Sequence, residues 1–306
     1  MMKIIFMGTP EFAVASLDAL VKAGNNIVAV ITAPDKPAGR GQKINESAVK
    51  QYAVNNGLKV LQPEKLRNPE FLAELKALQA DLQVVVAFRM LPEVVWSMPP
   101  KGTINLHASL LPHYRGAAPI NWAVINGEKQ SGVSTFFLKQ EIDTGDILFT
   151  ESVPISETDT AGDLHDTLMA TGAALLVKTV KAIETGDYQE QPQQALAEGI
   201  ELKHAPKIFK ETCEISWLQS TESVYNLIRG LSPYPTAFTV LNGKVFKIFK
   251  ADKQMSEPGI SAGGFLTDQK TFLKFACTDG FICPTDVQLE GKKRMGIEEF
   301  LRGVRL

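Results

Sequence analysis

Short apolar runs alternate with amphipathic stretches through the first half of the chain, and this alternation restricts the fold more than any other feature. Lys3-Ile4-Ile5-Phe6-Met7, the run from Ile27 to Thr32 and Val84-Val85-Val86 are nearly continuous in apolar character. Strands of that kind are buried on both faces, as in a parallel sheet covered by helices. Between the first two runs, Phe12, Leu17, Leu20 and Val21 make a helical stripe that Gly24 closes. Thr9 is placed to cap that helix, with Pro10 at its first position. The stretches Ser47–Asn56, Asn68–Leu78 and Thr160–Ile183 also read as helices, the last opened by a Thr160/Asp163 capping box. Alternating strands and helices favour a doubly wound, Rossmann-like parallel sheet.

The first turn, Gly8-Thr9-Pro10-Glu11-Phe12, lacks the second and third glycines of a dinucleotide fingerprint, which argues against NAD or FAD. A length of 306 residues suggests two domains. The expected division is a catalytic domain over 1–187, a Gln- and Pro-rich linker over 188–206 and a second domain over 207–306. In that last part Asn242-Gly243 separates two strand-like runs, a strong hairpin signal. Many short strands follow, pointing to a small OB-like β-barrel. Lys244, Lys247 and Lys250 are spaced by three, so they are not expected to share one strand face.

Net charge is -2 overall, -5 up to Pro206 and +3 after it, a weak asymmetry compatible with a polyanion partner. The N-terminus reads as a first strand and not as a signal peptide. The cysteines Cys213, Cys277 and Cys283 are odd in number and show no CxxC spacing. They fit buried thiols in a reducing, cytoplasmic compartment and give no ligand spacing for a metal.

The stretch from Gly102 to Pro119 carries the densest chemistry. Thr103-Ile104-Asn105-Leu106-His107 alternates with period two, so Asn105 and His107 point to one side of a strand. Ser109 to Gly116 then reads as a loop leaving the strand end, where open α/β sheets bind ligands. Farther along, Asp143 lies in a Glu141–Leu148 turn, and spacing alone favours a turn aspartate bonded to its own backbone. Taken together, Asn105, His107 and Asp143 also suit attack on a carbonyl: Asn on the oxygen, His sharing that task or moving a proton, Asp orienting His. No nucleophile elbow is present, so direct transfer between bound substrates is favoured over a covalent intermediate. The basic loop Pro34–Lys43 reads equally as a solvated connection or as a flexible finger for phosphates.

INLHASLLPHYRGAAPINWAVINGE, the later DTGD and the opening MGTPEFA resemble the 10-formyltetrahydrofolate-dependent formyltransferases. The resemblance extends through APDKPAGRGQK and LSPYPTAF, and so spans most of the chain. It implies a Rossmann-like catalytic domain with an OB-like C-terminal barrel. It also implies formyl transfer from 10-formyltetrahydrofolate to the methionine α-amino group of initiator Met-tRNA. No metal is required for that transfer, and a monomer is expected. The family's catalytic positions fall on Asn105, His107 and Asp143, and its folate-binding segment on Ser109, Leu110, Leu111 and Pro112. Its tRNA-entering loop brings Lys36, Arg40 and Lys43. The chain departs from the pattern at Ala108, where the family usually has Gly; an ordinary backbone is expected there. Ala87-Phe88-Arg89-Met90-Leu91-Pro92 is also one residue shorter than its counterpart. Two competing readings are a formyltransferase for a small amine, such as a nucleotide or sugar, and a nucleic-acid-binding protein with an inert α/β domain.

Overall fold

The computed structural model describes residues 1–38 and 43–306. In chain order the elements are β1 (Lys3–Gly8), α1 (Glu11–Lys22), β2 (Asn26–Ile31), β3 (Lys36–Ala38), β4 (Lys43–Asn45), α2 (Ala48–Asn55), β5 (Val60–Leu61), α3 (Pro69–Ala77), β6 (Leu82–Val86), α4 (Glu93–Trp96) and β7 (Thr103–His107). Then come β8 (Arg115–Gly116), α5 (Pro119–Ile125), β9 (Gln130–Phe137), β10 (Ile147–Pro154), α6 (Ala161–Thr185), α7 (Gln193–Ala197) and β11 (His204–Ala205). The chain ends with α8 (Thr221–Gly230), β12 (Ala237–Leu241), β13 (Lys244–Met255), β14 (Phe265–Thr267), β15 (Leu273–Ala276), β16 (Gly280–Leu289), β17 (Met295–Gly296) and α9 (Ile297–Gly303). These pack into two units, one of Met1–Arg115, Gly132–Val153 and Asp166–Lys203, the other of Gly116–Ser131, Pro154–His165 and His204–Leu306.

The first unit is built on a sheet of order β10-β9-β7-β6-β1-β2-β5. β7, β6, β1, β2 and β5 are parallel, and β9 runs antiparallel to β7. Ile5, Met7, Ala29, Ile31 and Val85 form one core with Phe71 and Leu75 of α3 and Val95 of α4. Ile4, Phe6, Val30 and Val84, on the opposite face, are fully buried as well. Burial of both faces is the physical reason for the apolar runs.

Helix ends follow local chemistry. Ser47 and Asn68 cap α2 and α3 with their side chains, and Pro69 opens α3. Thr160 and Asp163 exchange hydrogen bonds at the start of α6 (Asp163 N to Thr160 Oγ1, 3.2 Å; Thr160 N to Asp163 Oδ2, 2.9 Å), as a capping box requires. Thr9 does not cap α1: Pro10 takes the N-cap position, with no side-chain cap, and the helix starts at Glu11. The expected loop after Pro34 is framed by an antiparallel ribbon, β3 against β4. Arg40 and the side chain of Lys43 lie outside the described residues. Stretch 188–206 carries α7, and Gln191 exchanges 2.9 Å backbone hydrogen bonds with Ile147.

The second unit holds an antiparallel sheet of order β12-β13-β16-β15-β14, with β17 on β16. This curled half-barrel closes around Phe246, Phe275 and Phe300, with Val224 and Ile228 of α8 in the same core. Asn242 and Gly243 form the two-residue turn between β12 and β13, both at positive φ (50° and 76°). β13 differs from the sequence expectation in one respect. Ile248 and Phe249 are both buried and the pairing register shifts there, so the alternation reverses. Lys247 and Lys250 therefore project to the same outer face. Burial pushes all three cysteine thiols up, Cys277 to about 11, in keeping with unreactive thiols.

Gly8 ends β1 where a Cβ would lie 2.6 Å from Ala13 Cβ and 3.0 Å from the Val86 carbonyl. Its glycine serves close packing of strand on helix. Gly8→Ala is expected to lower stability by about 1–3 kcal/mol, the usual cost of overpacking. A denaturant midpoint equal to that of the parent protein would contradict this.

Candidate active site

β7 lies between β6 and β9, with Asn105 aligned to Val85 on one side and Phe136 on the other. Its C-terminal end is the position where parallel sheets present ligand-binding groups. One face of β7 carries Thr103, Asn105 and His107 in a row. Thr103 Oγ1 is committed to Trp96 O at 2.6 Å and Gln83 Oε1 at 3.1 Å. The next residue in the row, Asn105, is half-buried, and its amide has no hydrogen-bond partner among the described residues. It is a free donor at the strand end.

His107 is buried. Its Nε2 lies 2.9 Å from the Tyr114 carbonyl oxygen. A carbonyl can only accept, so Nε2 carries the hydrogen. His107 Nδ1 then faces Asp143 Oδ2 at 3.8 Å, an ion-pair distance and too long for a hydrogen bond. The sequence reading assigned the orientation of the imidazole to Asp143. In the structure a backbone carbonyl bonds Nε2, and the Asp143 carboxyl lies beside Nδ1 on the other side of the ring. The backbone at Ala108 stays out of the positive-φ region, as expected for a non-glycine residue.

Asp143 itself sits at φ +55°. Its turn is tied down by Thr144 Oγ1 donating to Glu141 O (3.0 Å) and by a Lys139–Asp146 ion pair (2.7 Å). At Gly145 a Cβ would fall 1.5 Å from the Phe137 carbonyl oxygen, so no other residue fits. The buried amide of Gln193 donates to the carbonyls of Asp143 (2.9 Å) and Gly145 (2.7 Å). Neither the Tyr114 carbonyl nor Gln193 figured among the sequence candidates. A backbone acceptor leaves no mark in side-chain pattern, and Gln193 is one glutamine among several in its stretch.

With this geometry in view, comparisons with known proteins become informative. Residues 2–180 match the formyl transferase family, and residues 207–305 match the formyl transferase C-terminal domain. The chain belongs to the formyl transferase family. It is 54% identical, over 100% of its length and 96% of the relative's, to methionyl-tRNA formyltransferase of Bacteroides fragilis. It is 55% identical, over 99% of its length and 96% of the relative's, to that of Parabacteroides distasonis. Among solved structures it resembles an N-formyltransferase from Helicobacter canadensis in complex with folinic acid and dTDP-3-aminofucose. There the TM-score is 0.67 at 22% identity, covering 96% of this chain and 100% of that one, a likeness of fold.

In this formyl transferase the segment Ser109–Pro112 is held from below by β9. Ser134 Oγ donates to Ser109 O (2.7 Å) and accepts from Leu111 N (3.1 Å). Ser109 Oγ turns to His113 O at 2.7 Å, and the Leu111–Pro112 peptide is cis. Leu111 packs on Phe136 and Ile147. Ser109, Leu111 and Pro112 are buried, so the segment offers backbone groups and the half-buried Leu110 to a ligand. Lys36 is exposed at the start of the ribbon. Beside it, the Lys50 ammonium and then the Gln62 amide hold the Asp35 carboxyl below its usual range, and Thr32 and Ser47 join hydroxyls at 2.7 Å. No group of His, Cys, Asp or Glu suited to a metal gathers among the described residues.

Ser134→Ala would leave a buried N–H and a buried carbonyl of the 109–111 segment without their partner. A loss of about 1–3 kcal/mol in unfolding free energy is expected. Chemical denaturation measures it, and a change within experimental error would show that Ser134 does not hold the segment.

Proposed function

We propose that the protein transfers the formyl group of 10-formyltetrahydrofolate to the α-amino group of methionine on initiator Met-tRNA, using Asn105, His107 and Asp143. The observation that carries the activity is full-length similarity, 54% over the whole chain, to a methionyl-tRNA formyltransferase. The site geometry supports the assignment of roles. Folate, when bound, supplies an activated formyl carbonyl. The unpartnered Asn105 amide fits that group, since its N–H can donate to an oxygen placed at the strand end. Ser109–Pro112 would hold the folate through backbone groups.

The amine must arrive as the free base; the formyl oxygen gains negative charge as the amine adds, and collapse of the adduct breaks the bond from the formyl carbon to N10 of the folate, which leaves as tetrahydrofolate with the proton the amine gives up. Donors aimed at such an oxygen are the strongest catalytic device of acyl transfer. Asn105 is the first. His107 is the second, and its geometry limits how it acts. Nε2–H is taken by Tyr114 O, so only Nδ1 can meet substrate. Nδ1 donates only when the ring is the imidazolium, and the Asp143 carboxylate 3.8 Å away is the charge partner of that form. The sequence stretch with Lys36, Arg40 and Lys43 would meet tRNA phosphates, Arg40 with its bidentate fork. The three free thiols fit a reducing cytoplasm.

A formyl-transfer assay with charged initiator tRNA against a small amine acceptor tests the substrate. Formylation of Met-tRNA is expected; transfer to the small amine alone would overturn the proposal. Asn105→Ala should slow single-turnover transfer by roughly 2.7–4 kcal/mol of barrier, the cost of one lost oxyanion donor, with the melting temperature preserved. A parental rate would remove Asn105 from that role. Arg40→Ala should lower kcat/KM for tRNA, less so at high salt where phosphate contacts are already weak, and leave folate affinity alone. Equal losses for tRNA and folate would assign Arg40 to the folate site or the fold.

A further inference from the structure

Gln193 lies in the stretch whose composition suggested a linker, yet its side chain is among the most enclosed polar groups of the first unit, 1% exposed. Its hydrogen-bonding capacity is used up. Nε2 donates to Asp143 O at 2.9 Å and to Gly145 O at 2.7 Å. Oε1 accepts from Arg115 Nε at 3.0 Å and Nη2 at 2.7 Å. An amide has two N–H donors and two lone pairs on oxygen, so these four bonds saturate it. They also fix its orientation, because a flipped amide would set oxygen against two carbonyls and NH2 against a guanidinium.

The two ends of this bridge meet the two sides of the imidazole. Arg115 directly follows Tyr114, whose carbonyl accepts from His107 Nε2. Asp143, on the other end, faces His107 Nδ1. A closed circuit results, from His107 to Tyr114, Arg115, Gln193, Asp143 and back to His107. The peptide pair Ile147–Gln191 anchors the strand of chain that carries Gln193, at 2.9 Å in both directions.

We infer that Gln193 is a positioning residue for formyl transfer: it sets the distance between Asp143 and His107 by tying the Asp143 turn to the segment that holds the imidazole. Resting on the His107 and Asp143 roles proposed above, the inference adds a residue that touches neither substrate. Its removal lets the Asp143 turn, already at φ +55°, move away from the ring. Substrate affinities depend on other groups and stay as they are.

The test is a double-mutant cycle on kcat for Met-tRNA formylation, combining Gln193→Met with Asp143→Asn. Methionine keeps the length of the side chain and removes all four hydrogen bonds. Gln193→Glu is the second variant, should the first not fold; it keeps the acceptor for Arg115 and removes the donors to Asp143 and Gly145. Either variant should lower kcat by roughly tenfold to a hundredfold, the scale of a misplacement near 1 Å, with KM for both substrates within about twofold. In the Asp143→Asn background the same substitution should cost less than about threefold, because residues acting as one unit are non-additive. Equal factors in both backgrounds, or an unchanged kcat in the Gln193 variants, would assign Gln193 to folding alone and overturn the inference. If Asp143→Asn is itself as fast as the parent, the Asp143 role fails, and the positioning role falls with it. Melting temperatures of all variants separate a loss of fold from a loss of rate.

Discussion

The site depends on one hydrogen bond between a side chain and the backbone. The Tyr114 carbonyl accepts from His107 Nε2 and so decides which ring nitrogen carries the hydrogen. A carboxylate in that position could have accepted from either a neutral or a charged ring and carried charge of its own. A carbonyl is neutral and cannot donate, so it orients the ring without competing with Asp143. The Asp143 carboxylate faces the opposite nitrogen, 3.8 Å away. Asn105 lies one step back along the same face of β7, its amide without a hydrogen-bond partner among the described residues.

The fold makes that bond possible. β7 is flanked by β6 and β9, which fix its register, and Ser134 on β9 grips the chain just beyond its end. The chain therefore turns tightly enough for Tyr114 to return its carbonyl to His107 seven residues after leaving it. Opposite, Gly145 admits the Phe137 carbonyl where any side chain would collide, and this seats the Asp143 turn. Backbone carbonyls and a glycine thus place the site as much as its side chains do.

What was legible in the sequence follows from the same physics. Strands buried on both faces have to be apolar, so β1, β2 and β6 could be read directly. The Thr160/Asp163 capping box and the Asn242-Gly243 turn are local chemistry, and they too were readable. Thr9 misled because Pro10 takes the N-cap position itself. The bulge at Phe249 was invisible because spacing arguments assume an unbroken alternation, and the shift that aligns Lys247 with Lys250 comes from pairing with β16. In the site, Asn105 and His107 were found by period two, since they lie on one strand. Asp143 joined them on residue chemistry alone, while its spacing favoured a turn aspartate; spacing could not show the pairing with His107, which crosses 36 positions of chain. Gln193 could not be read at all: its meaning lies in four hydrogen bonds to residues far away in sequence.

The account of His107 is most directly tested by nitrogen NMR of the imidazole in 15N-histidine-labelled protein, with the signal assigned by comparison with His107→Gln. At a pH where the ring is neutral, the account requires the hydrogen on Nε2 and the bare lone pair on Nδ1. A protonated-type shift at Nε2 with an acceptor-type shift at Nδ1 is the expected result. The reverse pattern, with the hydrogen on Nδ1, would mean that the Tyr114 carbonyl does not hold the ring, and the assignment of Nδ1 to the substrate would be wrong.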